Sequence, residues 1–291
     1  MSDLNRENLA LLIRIFRAVI SLFKLISNLM NGNITLKQFL LDLRFRLVSK
    51  SEVQNDDFDW KIYPSYYKEE LKSISRIHSL NIQNGNFILE QGQLVKAHPQ
   101  VKDLHPNHKV LYQIVASLKP ASVLEVGCGG GDHLSNINEL CPGTKLCGVD
   151  RSPEQIQTLR DRHPHLLVET SVLDVTSLVD KEFSAELVYT QAVLMHISET
   201  EGRFKAAIDF VFSSAEEIVV IIENWTQHNF LKEINRIQNE QSPWTDSFLY
   251  SVKSQDDSYA SAIIVSKRPL ANFEVLSSYD EVLEGRKVVV H

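Results

Sequence analysis

The chain has 291 residues, 43% hydrophobic and 23% charged, which suits a soluble globular protein of one large or two smaller domains. A net charge of −7 disfavours nonspecific nucleic-acid binding as the main activity. Three cysteines, Cys128, Cys141 and Cys147, make neither a disulfide framework nor a zinc-type CxxC pair, which points to a reducing, cytoplasmic setting. The charge is uneven. Residues 1–50 hold eight Lys/Arg against three Asp/Glu, residues 51–120 hold eight against eight, and residues 121–291 hold 14 against 26.

The first predicted element is "ENLALLIRIFRAVISLFKLISNLM". Arg14, Arg17, Ser21, Lys24 and Asn28 recur every three or four residues, one narrow polar stripe on an otherwise apolar helix. Two arginines and a lysine inside the run argue against a membrane span. Asp3 and Glu7 offset Arg6 ahead of it, and no small-residue cleavage site follows, so a secretory signal does not fit. The apolar face suits burial against the rest of the chain or a sister subunit; the second reading is a helix, residues 8–30, lying on an anionic membrane surface. Thr35-Leu36-Lys37-Gln38 forms a capping box, with Ile34 stapled to Phe39, and opens a second helix to about Val48. Residues 51–59 read as a polar linker. Ser65 caps a third helix through about Leu80. "NFILEQGQLVKA" alternates around Gly92 as a short hairpin, and a further helix starts near Pro106 and stops at Lys119-Pro120.

From Ser122 strands and helices alternate. "SVLEV" is a short buried strand; "DHLSNINEL" is a helix stopped by Pro142-Gly143. "KLCGVD" is a strand, and "SPEQIQTLRDRH" a helix with Ser152 as its cap and Pro153 in its first turn. "LLVETSVLDV", "AELVYTQ" and "EEIVVIIEN" supply three more strands, with "ETEGRFKAAIDFVFSS" helical between the last two. This alternation predicts a parallel sheet covered on both faces, whose ligands bind beyond the carboxyl ends of the strands.

One loop at those ends is chemically specific. Gly127, Gly129 and Gly131 follow the first of these strands directly, allowing a tight turn and close approach of a ligand to bare backbone. The dinucleotide pattern G-x-G-x-x-G fails, because its third glycine falls at Asp132. An acid in the helix's first turn also repels pyrophosphate. A ligand with a positive centre and an amino-acid tail fits better, since Glu125 and Asp132 then favour it.

These residues, with three further motifs in order, resemble the class I S-adenosylmethionine-dependent methyltransferases over about residues 106–268. "EVGCGGG" resembles the family's first motif, placing Glu125, Gly127, Cys128, Gly129 and Gly131 at the cofactor. Asp150, ending "GVD" beside Arg151, matches the acid that grips both ribose hydroxyls. Leu173-Asp174-Val175 matches the segment whose Asp and following N–H read the adenine edge. "AELVYTQAVLMHI" is similar to the fourth strand and its loop, so Tyr189 and Gln191 are expected to line the pocket. The resemblance implies a Rossmann-like seven-stranded, mostly parallel sheet, with "SFLYSVKSQDDSYASAIIVSKR" as an antiparallel C-terminal hairpin. It implies S-adenosyl-L-methionine as cofactor and a catalytic domain over residues 106–291. Residues 1–105 are then a mainly helical region for oligomerisation, lid formation and substrate recognition, most simply in a homodimer.

The acceptor is less constrained. An oxygen acceptor of a small molecule or glycan needs a base, and His196, after the fourth strand, is the first candidate; His228, after the fifth, is the second. Packing is the competing role for His196. "YTQA" departs from the Asn/Asp-Pro-Pro-Tyr of exocyclic-amine methylases. Glu223-Asn224 offers two oxygen ligands for magnesium, but the fourth strand ends without a carboxylate, so no metal is expected. Lys96, His98, Lys102, His105 and His108 suit an anionic acceptor, and Trp60, Tyr66 and Tyr67 suit stacking on a ring. A nucleoside-binding scaffold and a protein methyltransferase are the alternative functions.

Overall fold

The computed structural model describes residues 22–23, 25–31, 36, 39–40, 43, 63–71, 82, 86–90, 93–101, 103–177, 183–223, 225, 228–240, 242–253, 261–271 and 273–276. The chain divides into two compact units, residues 1–73 and 74–291. In the first unit residues 25–30 are helical and α1 runs Tyr63–Glu70. Residues 22–23, 36, 39–40 and 43 are helical too; the remaining residues of the first two predicted helices, apart from residue 31, and the stretch of the third beyond residue 71 lie outside the described residues, as do Trp60 and Lys102. Among the described residues no helix is long and apolar enough to cross a membrane.

The second unit opens with the expected hairpin, β1 (Phe87–Glu90) paired antiparallel to β2 (Gln93–Lys96). Helix α2 (Pro106–Leu118) carries Pro106 where a missing N–H goes unnoticed. It stops at Lys119, driven left-handed (φ 46°) before Pro120. There follow β3 (Ser122–Val126), α3 (Asp132–Leu140), β4 (Lys145–Asp150), α4 (Pro153–Arg162), β5 (Val168–Val172), β6 (Ala185–Gln191), α5 (Arg203–Ser213), β7 (Ala215–Ile222), α6 (Phe230–Glu240), β8 (Phe248–Lys253), β9 (Ser261–Ser266) and β10 (Glu274–Val275). The Ser152 hydroxyl accepts the Gln155 N–H at 3.2 Å, the cap that starts α4.

The sheet has eight strands rather than seven, ordered β10-β8-β9-β7-β6-β3-β4-β5. The five strands from β7 to β5 are parallel; β9 pairs antiparallel to β7, β8 to β9 and β10 to β8. The extra strand is the two-residue β10 on the far edge, too short for a period-two signal to show in sequence. The apolar runs are continuous because both faces are covered. Val123, Leu187, Tyr189 and Val220 pack under α2 and α3, while Leu124, Val188, Val219 and Ile221 pack under α5 and α6. The edge strand β5 is shorter than the strand expected over 166–175 and only partly buried.

Candidate cofactor and acceptor site

The sheet order sets the carboxyl ends of β5, β4, β3, β6 and β7 side by side, and the residues singled out by sequence stand along that row. Gly127, Gly129 and Gly131 all adopt positive φ (79°, 50° and 81°). The Gly127 and Cys128 amides both donate to the Val149 carbonyl, at 2.8 and 3.0 Å, folding the turn back onto β4. The three glycines differ in what surrounds them. A Cβ on Gly127 would strike Val193, and one on Gly131 would strike Leu159, whereas Gly129 faces open space. The turn therefore presents Gly129 outward. Gly131→Ala is expected to lower the melting temperature markedly, while Gly129→Ala costs only the left-handed backbone, about 1–2 kcal/mol. Thermal unfolding of the two variants checks this; equal losses would contradict the geometry.

Asp150, at the end of β4, is 8% exposed. One carboxylate oxygen accepts the Gly129 N–H at 2.9 Å and the other the Ser152 N–H at 2.8 Å. Burial raises its pKa, against the opposing pull of the Ser152 and Gly129 amides and Arg151. Each oxygen keeps a further lone pair for a ligand hydroxyl. Asp174 lies beyond β5, where its Oδ1 accepts the Thr176 N–H at 3.0 Å and hydroxyl at 2.7 Å. Burial would raise its pKa, but Thr176, Arg151 and Arg203 outweigh it and hold it below the ordinary value. Arg151 approaches Asp174 at 3.9 Å, and the Val175 side chain is buried in the core.

Glu125 and Tyr189 are register partners on β3 and β6, almost wholly buried. Burial raises the Glu125 pKa well above the carboxylate range, against the nearby Tyr189 hydroxyl; Glu125 Oε2 and that hydroxyl make no hydrogen bond of good geometry. Gln191 Oε1, ending β6, is likewise buried without a hydrogen bond. Asp132 corrects the sequence reading. Arg162 holds its carboxylate in a two-pronged grip, Nη1 to Oδ2 at 2.8 Å and Nη2 to Oδ1 at 2.5 Å, so its charge is already matched. Lys96 is also matched, by Asp103 at 2.9 Å, and His98 is exposed; His105 caps α2 and His108 lies in its first turn.

On the acceptor side His196 ends a 3-10 turn, Leu194–His196, after β6. Burial, reinforced by His228, brings its pKa down to about 4, so the ring is neutral at physiological pH. The stability gained from that neutral ring is present above the ordinary value of 6.5 and is lost as pH falls toward 4. His228 stacks on Phe204 with ring centroids 4.3 Å apart, and its Nδ1 meets Glu199 Oε1 at 3.3 Å. Its Nε2 is buried without a hydrogen bond.

The role left to Glu223 is structural. Its Oε1 accepts the Thr190 hydroxyl at 2.9 Å and the Val193 and Leu194 amides at 3.0 and 3.1 Å; its Oε2 accepts the Met195 amide at 3.1 Å. Burial pushes its carboxyl up to about 7 against these four donors. Both oxygens take part in stapling the loop after β6; its companion Asn224 lies outside the described residues. Among the described residues no cluster of three metal-ligating side chains occurs. Sequence offered one signal for the staple, an acid directly after the apolar run Ile218–Ile222. Removing it in Glu223→Ala should destabilise the protein by about 3–5 kcal/mol, since buried amides lose their acceptor. Calorimetric melting tests this, and an unchanged midpoint would refute it.

Residues 123–213 match the family model described as methyltransferase domain. The match spans less than half of the chain. Over 88 residues the chain is 26% identical to the malonyl-[acyl-carrier protein] O-methyltransferase of Hahella chejuensis, covering 30% of this chain and 32% of that protein. The chain thus aligns with about a third of the length of that curated relative. The plantazolicin methyltransferase BpumL in complex with SAH overlays with a TM-score of 0.45 at 12% identity, covering 79% of this chain and 100% of that one. The magnesium protoporphyrin IX methyltransferase of Synechocystis PCC 6803, with bound SAM, gives 0.43 at 15% identity, covering 56% and 80%.

Proposed function

We propose that this chain transfers a methyl group from S-adenosylmethionine to an oxygen of a small molecule or glycan. The carrying observation is the turn of three left-handed glycines braced by Asp150, with Gly129 facing open space. That cradle fits the cofactor. Bare backbone admits it, Asp150 offers two oxygens to the ribose hydroxyls, and Asp174 with Val175 borders the base; Glu125, Cys128, Arg151 and Gln191 complete the wall. S-adenosylmethionine, when bound, supplies a methyl group on a sulfonium, a good leaving group. The chain's own residues need only hold the acceptor in line and take its proton. For that proton His228 is the stronger candidate. Its ring is oriented by Glu199 and by stacking on Phe204, whereas a pKa near 4 makes His196 a weak base. The Hahella relative, an O-methyltransferase by name, supports oxygen as the target.

Titration of the chain with S-adenosylhomocysteine, then mass spectrometry of extracts incubated with labelled methyl donor, tests the reading. Binding without any transfer favours a nucleoside-binding scaffold, and label on protein favours a protein methyltransferase.

Residues 1–105 are assigned to oligomerisation, lid formation and acceptor recognition, ahead of the catalytic domain at 106–291. Phe23 is 69% and Met30 82% exposed, and such apolar side chains on one short helix call for a cover. We assign that cover to a second copy of the chain, with a lipid surface as the minority occupant. Three free cysteines suit the cytoplasm. Light scattering should show a dimer that deletion of residues 1–50 converts to monomer or aggregate. A full-length monomer indifferent to anionic vesicles would defeat both covers.

A further inference from the structure

We propose that Glu223 is a positioning residue for the methyl donor: through the three backbone amides it grips, it seats Val193 against Gly127, and the loop after β6 thereby holds the glycine turn in shape. The proposal rests on the cofactor reading above and concerns a side chain that need not touch donor or acceptor.

The loop is bent around this carboxylate. Ala192 adopts φ 54°, a left-handed conformation unfavourable for a residue with a Cβ. The next three amides, Val193, Leu194 and Met195, then converge on one point, a backbone nest of the kind that receives anions. Here the anion belongs to the chain itself. Glu223 Oε1 accepts the first two amides and the Thr190 hydroxyl, and Oε2 accepts the third. Thr190 and Glu223 are 0% and 5% exposed, so water does not substitute for these bonds. The Ala192 N–H donates to the Ile222 carbonyl at 3.0 Å. Both anchors stand at the end of β7, which therefore dictates the path of the loop after β6.

The residue so held reaches the donor site. The Val193 side chain fills the place that a Cβ of Gly127 would take. Gly127 is the first left-handed glycine of the turn, and its N–H is tied to the Val149 carbonyl at 2.8 Å. Its backbone is thus held from β4 through the amide and packed by Val193 at the Cα. Two residues on, Gly129 faces open space and donates to Asp150 at 2.9 Å. A displaced Val193 leaves a void beside Gly127, and a glycine backbone is free to relax into it. The Gly129–Asp150 bond moves with the turn. Glu223, Val193, Gly127 and Asp150 form a contiguous series of contacts, the physical link that coupling between a remote side chain and a site travels through.

Calorimetric titration of the full chain with S-adenosylhomocysteine tests this link, at about pH 8.5, where the Glu223 carboxyl, pushed up to about 7, is ionised. Glu223→Gln keeps the volume but turns an NH2 group toward at least one of the amides, donor against donor. It should weaken binding by about 3- to 30-fold, the range for a residue acting on a site through packed neighbours. Val193→Ala, which keeps the staple, should fall in the same range. The double variant should stay within about twofold of Glu223→Gln alone, because both changes break one link. Ile237→Val, a core change in α6, should lower the melting temperature yet keep affinity within about twofold of wild type. Should Glu223→Gln not fold, Glu223→Asp, whose carboxylate is one methylene short of the amides, takes its place in the cycle. Losses that multiply in the double variant, unchanged affinity in either single variant, or an equal loss in Ile237→Val would each overturn the proposal. Failure of the wild type to bind S-adenosylhomocysteine would overturn the cofactor reading itself, and the positioning role with it.

Discussion

Asp150→Ala is expected to weaken S-adenosylhomocysteine binding by about 10²–10⁴-fold. Two charge-assisted hydrogen bonds to the ribose, about 1.5–3 kcal/mol each, supply that range. The same carboxylate accepts the Gly129 and Ser152 amides, so its loss also slackens the glycine turn. Asp150→Asn separates the two contributions. It keeps an oxygen for one amide but lacks the charge and one acceptor, and should fall between wild type and Ala. Calorimetric titration of the three proteins, with melting curves to confirm folding, decides the matter. Equal affinities would remove Asp150 from the cofactor site and with it the main support for the proposed function.

The second large effect concerns the base. His228→Ala should cut turnover on a hydroxyl acceptor by about 10²–10⁴-fold while leaving donor affinity within about twofold. Glu199→Gln should reduce turnover less, because the carboxylate only orients the ring at 3.3 Å and is itself well exposed. His196→Ala should lose less than about tenfold, as expected of a ring kept neutral by burial. Steady-state rates with labelled methyl donor measure all three. A His196 loss exceeding that of His228 would reverse the assignment. Small losses at both would mean that the acceptor arrives already ionised and needs no base.

The elements of the core were legible because their signals are local. "SVLEV" shows four buried residues in succession, which a strand covered on both faces requires. Ser152-Pro153 and Lys119-Pro120 mark helix ends through bonds reaching only three or four residues. The glycines of the turn were readable for a similar reason: left-handed backbone is cheap for no other residue, so the composition exposes the conformation. The edges were less legible. β10 has two residues, and β5 covers only half of the stretch 166–175 that reads as a strand.

The site was half legible, and the division follows sequence distance. Asp150 stands at a strand end two residues from one partner, and its proposed role follows from that position. Glu223, read as an optional metal ligand, is engaged by Thr190, Val193, Leu194 and Met195, all at least 28 residues away. Asp132 is neutralised by Arg162, 30 residues on, and His228 is turned by Glu199, 29 residues back. By itself the sequence determined the sheet's parallel core, the glycine turn and the acid beside it, because backbone conformation and strand burial are properties of neighbouring residues. Tertiary structure alone decided which polar side chains are spent on structure. A carboxylate or imidazole acquires its role from the donors, charges and burial that folding brings to it, and these arrive from distant parts of the chain.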